Sequence, residues 1–185
     1  MMEGVGVDSE IYRLTAEQYH LLIESGAFDE KSRVELIDGL LLDMSPKTPQ
    51  HENIIGWLLD RLFDAVDRDR YQIRAGAALS LGASEPEPDL LVFARETERP
   101  YHPATAELVV EVAVSSRNRD LKVKPRLYAG AGVSVYWVID VERGRAVQHT
   151  QPQGDEYGRV EIVTELTAPH LGLSVVVADV LASAR

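Results

Sequence analysis

Glu85-Pro-Glu-Pro-Asp89 runs straight into the apolar segment Leu90-Leu-Val-Phe-Ala94, and Glu107-Leu-Val-Val-Glu-Val-Ala-Val114 follows after a loop of roughly a dozen residues. Both apolar runs are short, rich in β-branched residues and flanked by turn formers, which marks them as buried strands. Pro88 holds the chain extended and has no N–H to give to a ladder, so Asp89 stands at a strand start. Glu111 sits between Val110 and Val112, in the middle of the second run. An acid in that position is costly to bury unless a cation or a donor compensates it. Neighbouring strands lie about 4.8 Å apart, so carboxylates at matching height can share one hard cation. Magnesium favours such oxygen ligands and keeps several waters. The plainer alternative is a turn-forming Asp89 and a Glu111 neutralised by a core arginine.

Around this pair the chain alternates strands and helices. Thr15-Ala-Glu-Gln18 opens a helical pattern with a capping box, and Gly26 closes it. Residues 33–37 and 40–44 read as a hairpin joined by the tight turn Asp38-Gly39. Pro46 and Pro49 bracket a loop, and residues 50–68 carry apolar side chains at helical spacing. Residues 71–81 form a strand candidate with Gly76 inside it. A helix is predicted over residues 122–129, closed by Gly130 and Gly132, before the almost wholly apolar central strand Val133-Ser-Val-Tyr-Trp-Val-Ile139. Further strands near residues 146–151 and 160–166 and a short helix around residues 178–184 complete the chain. No repeat, low-complexity tract or long linker divides it. One α/β (α+β) domain over residues 1–185 is expected, a curved mixed β-sheet flanked by helices, with residues 1–12 a flexible N-terminal segment.

The formal net charge of −11 argues against a protein that coats nucleic acid, since phosphate affinity rests on many lysine and arginine contacts. A local phosphate site remains open, because Arg117, Arg119, Lys122, Lys124 and Arg126 oppose only Asp120 between residues 117 and 126. The same stretch also reads as a solvated helix face. With no cysteine there is neither a disulfide nor a thiolate metal site. The N-terminus lacks the basic and apolar regions of a secretory signal, and no run approaches the roughly 18 apolar residues of a membrane helix. A cytoplasmic protein without membrane association is therefore expected. Gly-rich Walker loops and the His-Glu-x-x-His zinc pattern are absent. Ser115-Ser116 ends a strand more readily than it supplies a nucleophile, since no His-acid partner is recognisable nearby.

Taken together, Glu35-Leu-Ile-Asp-Gly39, His51, Pro88-Asp89, Val110-Glu-Val112, Ser115-Ser116, Asp120, Lys124, Leu127-Tyr-Ala129 and the run from Gly132 through Tyr136-Trp-Val-Ile-Asp140 resemble the Uma-two family. This is a restriction-endonuclease-like family within the PD-(D/E)XK nuclease superfamily. The resemblance runs from about residue 14 to 180 and rests on order and spacing, because no single piece is specific. It implies that Asp89 and Glu111 are metal-binding acids, with Glu35 an additional acid that assists or holds a second ion. Mg2+ or Mn2+ is the implied cofactor. Lys124 is the implied lysine that positions water and offsets phosphate charge. In the superfamily's usual signature that lysine follows the second acid by two residues, where this chain has Ala113, so the resemblance implies migration to the following helix.

Pro125 disfavours helical geometry at the residue before it. Lys124 is therefore either aimed inward from the helix mouth or displaced so that Lys122 serves instead. Glu35, alternating with Val34 and Leu36, either joins the site or faces solvent. His51 either contacts phosphate or caps the helix that follows. Together with Lys122 and Arg119 it completes the expected substrate-binding set. The resemblance implies a metal-dependent endonuclease acting on phosphodiester bonds, DNA being the expected substrate and a homodimer the expected assembly. A nuclease fold that no longer cleaves and works in binding or assembly is the alternative, and an RNA-directed or structure-specific enzyme is a third.

Overall fold

The computed structural model describes residues 11–29, 32–95 and 102–185. Of the expected flexible N-terminal segment, residues 1–10 lie outside the described residues. Thr15 caps α1 (Ala16–Glu24): its hydroxyl accepts from the Gln18 backbone N–H while the Gln18 side chain accepts from the Thr15 N–H. Those reciprocal bonds satisfy two donors that a helix start would otherwise leave unpaired. β1 (Val34–Ile37) and β2 (Leu40–Asp43) pair antiparallel. Asp38 and Gly39 between them have φ of 50° and 75°, the two positive values that a type I′ turn requires. Gly39 has a second reason to be glycine, since a Cβ there would stand 2.6 Å from the Arg13 Cβ. Thr48 caps α2 (Pro49–Ala65), where Pro49 occupies a first-turn position that needs no N–H donor.

The main sheet has the order β3 (Tyr71–Ala75), β4 (Leu90–Ala94), β5 (Leu108–Ala113), β6 (Val135–Asp140), β7 (Arg145–Gln153) and β8 (Glu156–Val163). β5 and β6 run parallel and every other neighbouring pair is antiparallel. A parallel pair needs a crossover. Here a π-helical turn (Arg119–Val123) followed by α3 (Lys124–Gly130) supplies it. β5 and β6 are buried at all six positions, so both faces of the sheet are covered at its centre. On one face Leu108, Val110 and Val112 pack with Ile54, Leu58 and Leu62 of α2. On the other, Val109 and Ala113 pack with Tyr128 of α3 and Tyr136 of β6. Side chains alternate along a strand, so Glu111 lies in the row of Val109 and Ala113 and faces α3.

Two expectations are corrected. The strand candidate of residues 71–81 ends at Ala75, because Gly76 turns the chain at φ 55°, and the following residues loop back, with isolated bridges joining Leu81 to Ser84 and Glu85 to Leu36 of β1. The run of residues 160–166 is split. β8 leaves the sheet at Val163, and β9 (Glu165–Ala168) pairs with β10 (Leu173–Val176) across a 3-10 turn ending at Gly172. Leu166, Ala168, Leu173 and Val175 of that hairpin enter the α2-side core, and α4 (Val177–Ala182) follows. Among the described residues no helix is long and apolar enough to cross a membrane.

Candidate active site

The antiparallel register of β4 and β5, with Leu90 opposite Val110, places Asp89 beside Glu111 when it is continued by one residue. Asp89 fixes this end of the pairing with its side chain, since its Oδ2 accepts from the Val112 backbone N–H at 2.7 Å. Its Oδ1 lies 2.9 Å from His51 Nε2. Glu111 is only 4% exposed and takes two hydrogen bonds on Oε1, from Lys124 Nζ at 2.7 Å and from the Tyr128 hydroxyl at 3.0 Å. Among the described residues no core arginine neutralises Glu111; the cation that does is Lys124.

Lys124 opens α3 with φ −65° and ψ −32°, a helical conformation that a following proline disfavours. The π-helical turn delivers it. The Lys124 N–H reaches back to the Arg119 carbonyl, the wider i→i−5 spacing, and Pro125 then takes a first-turn place where no donor is needed. The ammonium ends 3% exposed, 3.1 Å from Glu35 Oε2 and 3.9 Å from Asp120 Oδ1 as well as against Glu111. Three carboxylates around one ammonium hold that side chain in the cleft. Lys122, on the same turn, is exposed and does not line the cleft, so the structure places it away from the other expected site residues.

Glu35 points inward, away from solvent, with both oxygens engaged. Arg119 Nη1 donates to Oε1 at 2.6 Å, and Lys124 and the Glu87 N–H approach Oε2 at 3.1 and 3.3 Å. Arg119 also donates to the Asp43 carbonyl at 2.8 Å, tying the β1–β2 hairpin to the crossover. His51 is not the helix cap, which is Thr48; its ring is turned to Asp89, and its buried Nδ1 has no hydrogen-bond partner among the described residues. Glu35, His51, Asp89, Glu111, Arg119 and Lys124 all line one cleft with a cavity of about 50 Å3. That is several times the roughly 10–15 Å3 one water needs, and too small to enclose a nucleotide.

Asp120 was not singled out from the sequence as a site acid, yet it is fully buried and lines the same cleft. Its spacing from Lys124 was the available signal, since residues four apart meet on a helical surface. Ser116 bonds one of its oxygens, while Oδ1 has no hydrogen-bond partner among the described residues. Tyr128 was visible in the sequence only as part of a pattern. Its hydroxyl proves to be a direct partner of Glu111.

Carboxylates outnumber fixed cations here. Burial pushes the Glu111 carboxyl well above its ordinary value, and the neighbouring Lys124 charge pulls it down without overcoming that. Burial raises Asp120 in the same way. Burial alone would lower Lys124, but Glu111, Glu35 and Asp120 together hold its ammonium above the usual lysine range. The donor set suits a hard divalent ion: Asp89, Glu111 and Asp120 offer carboxylate oxygens, and neither Asp120 Oδ1, which meets only the Lys124 ammonium at 3.9 Å, nor Glu111 Oε2 takes one of the hydrogen bonds described.

The chain matches the model of the Uma2 family, described as "Putative restriction endonuclease", over residues 16–180. Among solved structures it is similar to the crystal structure of a "putative nuclease" from Anabaena variabilis ATCC 29413. The TM-score is 0.76 at 16% sequence identity, covering 93% of this chain and 99% of that one. No curated protein matches. The structural likeness establishes a shared fold, and the family match spans nearly the whole described chain. The protein belongs to the Uma2 family of restriction-endonuclease-like proteins.

Proposed function

We propose that this protein is a divalent-metal-dependent nuclease that hydrolyses phosphodiester bonds, with DNA as its substrate. The observation that carries the reading is the convergence of Lys124, from the crossover, on Glu111, at the centre of the sheet, with Asp89 beside them. Asp89 and Glu111 would hold the ion, joined by Oδ1 of Asp120. Bound there, a Mg2+ or Mn2+ ion would neutralise phosphate charge and polarise the attacking water. Lys124 acts as a fixed donor beside the acids, orienting water and stabilising negative charge as it develops on the phosphate. Glu35, whose two oxygens are taken by the permanent cations Arg119 and Lys124, positions those side chains and is the weakest candidate ligand of the expected acids. Tyr128 fixes the orientation of Glu111, and His51 that of Asp89. The cleft is too small to swallow a nucleotide, so the scissile phosphate approaches its mouth, where Arg119 is the remaining partly exposed cation of the expected substrate-binding set.

One observation favours a non-cleaving role. Both Asp89 oxygens are engaged, by the Val112 N–H and by His51, so the acid must share or release a partner to hold an ion. Incubation of purified protein with plasmid DNA and Mg2+ or Mn2+ separates the readings. Metal-dependent nicking that disappears in Glu111→Gln supports catalysis. Absence of cleavage on DNA and RNA, with no Mg2+ binding by calorimetry, refutes it.

A further inference from the structure

A second constellation stands apart from the acidic cleft. His20 of α1, Glu85 of the loop before β4 and His102 of the segment leading to β5 come from three distant parts of the chain, and none of them lines that cleft. Their ligand atoms all lie within 4.8 Å of one another. His20 Nε2 is 2.6 Å from Glu85 Oε2, and the rings of His20 and His102 meet edge to face with centroids 6.1 Å apart. Glu85 is 2% exposed, whereas both histidines are partly open to solvent.

Two features distinguish this from an ordinary surface contact. Glu85 is a buried carboxylate with no lysine or arginine paired to it among the described residues; its ion-pair partner is His20, which carries charge only when protonated. Buried charges are paired or coordinate metals, and a histidine is a charged partner only while it holds its second proton. The outer contacts also fix the ligand geometry. Ser80 Oγ donates to Glu85 Oε1 at 2.8 Å, which leaves Oε2 facing the histidines, and the Ser80 N–H donates to the Pro103 carbonyl at 2.9 Å. One residue thus holds both the carboxylate and the neighbour of His102, as second-layer partners do in metal sites.

We propose that His20, Glu85 and His102 form a binding site for a zinc-class divalent transition metal. Two imidazole nitrogens and one carboxylate are a borderline donor set that suits zinc and its neighbours, while magnesium prefers oxygen alone. The ion sits at roughly 2.0–2.2 Å from each ligand, with water completing the tetrahedron. Reaching that geometry needs the His20–Glu85 pair to open slightly, to a ligand spacing of roughly 3.3 Å, with the His102 ring turning in. Both histidines have the solvent exposure to do so. The ion clamps α1 and the residue 102–103 segment onto the loop that ends, four residues after Glu85, in Asp89. It is a site for holding that loop, separate from the acids proposed to act on phosphate.

The test uses untagged full-length protein stripped with a chelator and then saturated with Mg2+, titrated with Zn2+ by calorimetry and with Co2+ by visible absorption. One zinc per chain is expected, with affinity falling at least tenfold in His20→Ala and in His102→Ala and unchanged in Glu111→Gln. Co2+ should give the d–d bands of a four-coordinate site in the wild type and lose them in both histidine variants. If a histidine-to-alanine variant has an altered far-UV spectrum, the corresponding glutamine variant gives the same readout. Zinc binding of equal affinity in either histidine variant overturns the site, as does binding that vanishes in Glu111→Gln, and so does wild type that takes up no zinc.

Discussion

Replacing Lys124 by methionine keeps most of the buried aliphatic volume and removes only the charge and its donors, so the variant isolates what the ammonium does. Lys124 is 3% exposed and lies 2.7, 3.1 and 3.9 Å from Glu111, Glu35 and Asp120. Removing one partner of a buried ion pair costs about 3–5 kcal/mol, because the other charge is left uncompensated. Two groups soften the loss: Arg119 remains on Glu35, and the Tyr128 hydroxyl remains on Glu111. The low end, about 3 kcal/mol, is therefore expected. For a chain of this size that lowers the melting temperature by about 6–12 °C. On the proposed function a divalent ion bound in the cleft would replace the missing charge, so Mg2+ should restore more stability to Lys124→Met than it adds to the wild type. Urea denaturation followed by circular dichroism, in chelator and in Mg2+, reads both quantities. A loss below about 1 kcal/mol in chelator would show that the acids do not depend on this lysine. That result would remove the electrostatic basis of the site.

Tyr128→Phe removes a hydroxyl that donates to Glu111 and leaves the packed ring against Tyr136, 4.9 Å away between centroids. A hydrogen bond to a charged group contributes about 1.5–3 kcal/mol, so a loss near the lower figure is expected by urea denaturation, and an unchanged midpoint would contradict the bond. His149 gives a pH signature away from the cleft. Burial lowers its pKa, partly opposed by a contact with the Tyr136 carbonyl, and its ring packs against Tyr136 and Tyr157. The unfolded chain binds the proton more readily, so the stability this group contributes is complete above about pH 6.5 and is lost as pH falls through the lower folded-state value. His149→Gln should flatten that slope when unfolding free energies are compared from pH 7.5 to 5.5. An identical slope in both proteins would assign the pH dependence elsewhere.

Much of this fold could be read because local chemistry and tertiary structure agree. The Thr15–Gln18 capping box, the Asp38-Gly39 turn and the Pro88-Asp89 strand start each carry their instruction within a few residues, and all three appear where expected. Glu111 was legible for a different reason: a charge amid valines demands a partner, whichever fold surrounds it. What escaped the sequence depends on contacts between distant segments. The end of β3 at Gly76 follows from the loop that returns to Leu36, and the β9–β10 hairpin from apolar side chains that fill the α2-side core. The inward aim of Lys124 depends on a π-helical turn, which leaves no periodicity in five residues and is held by acids on other elements. The two lysines, Lys122 and Lys124, differ in sequence by two positions; in space one faces solvent and the other the sheet.

Plasmid nicking by the wild type and Glu111→Gln, assayed side by side in Mg2+ and in chelator, reaches the proposed chemistry most directly. Magnesium-dependent cleavage by the wild type, reduced about 100-fold or more in a Glu111→Gln protein of unaltered circular dichroism, is the expected result. Equal rates in the two proteins, or cleavage that persists in chelator, would mean that the acid at the centre of β5 does not serve catalysis.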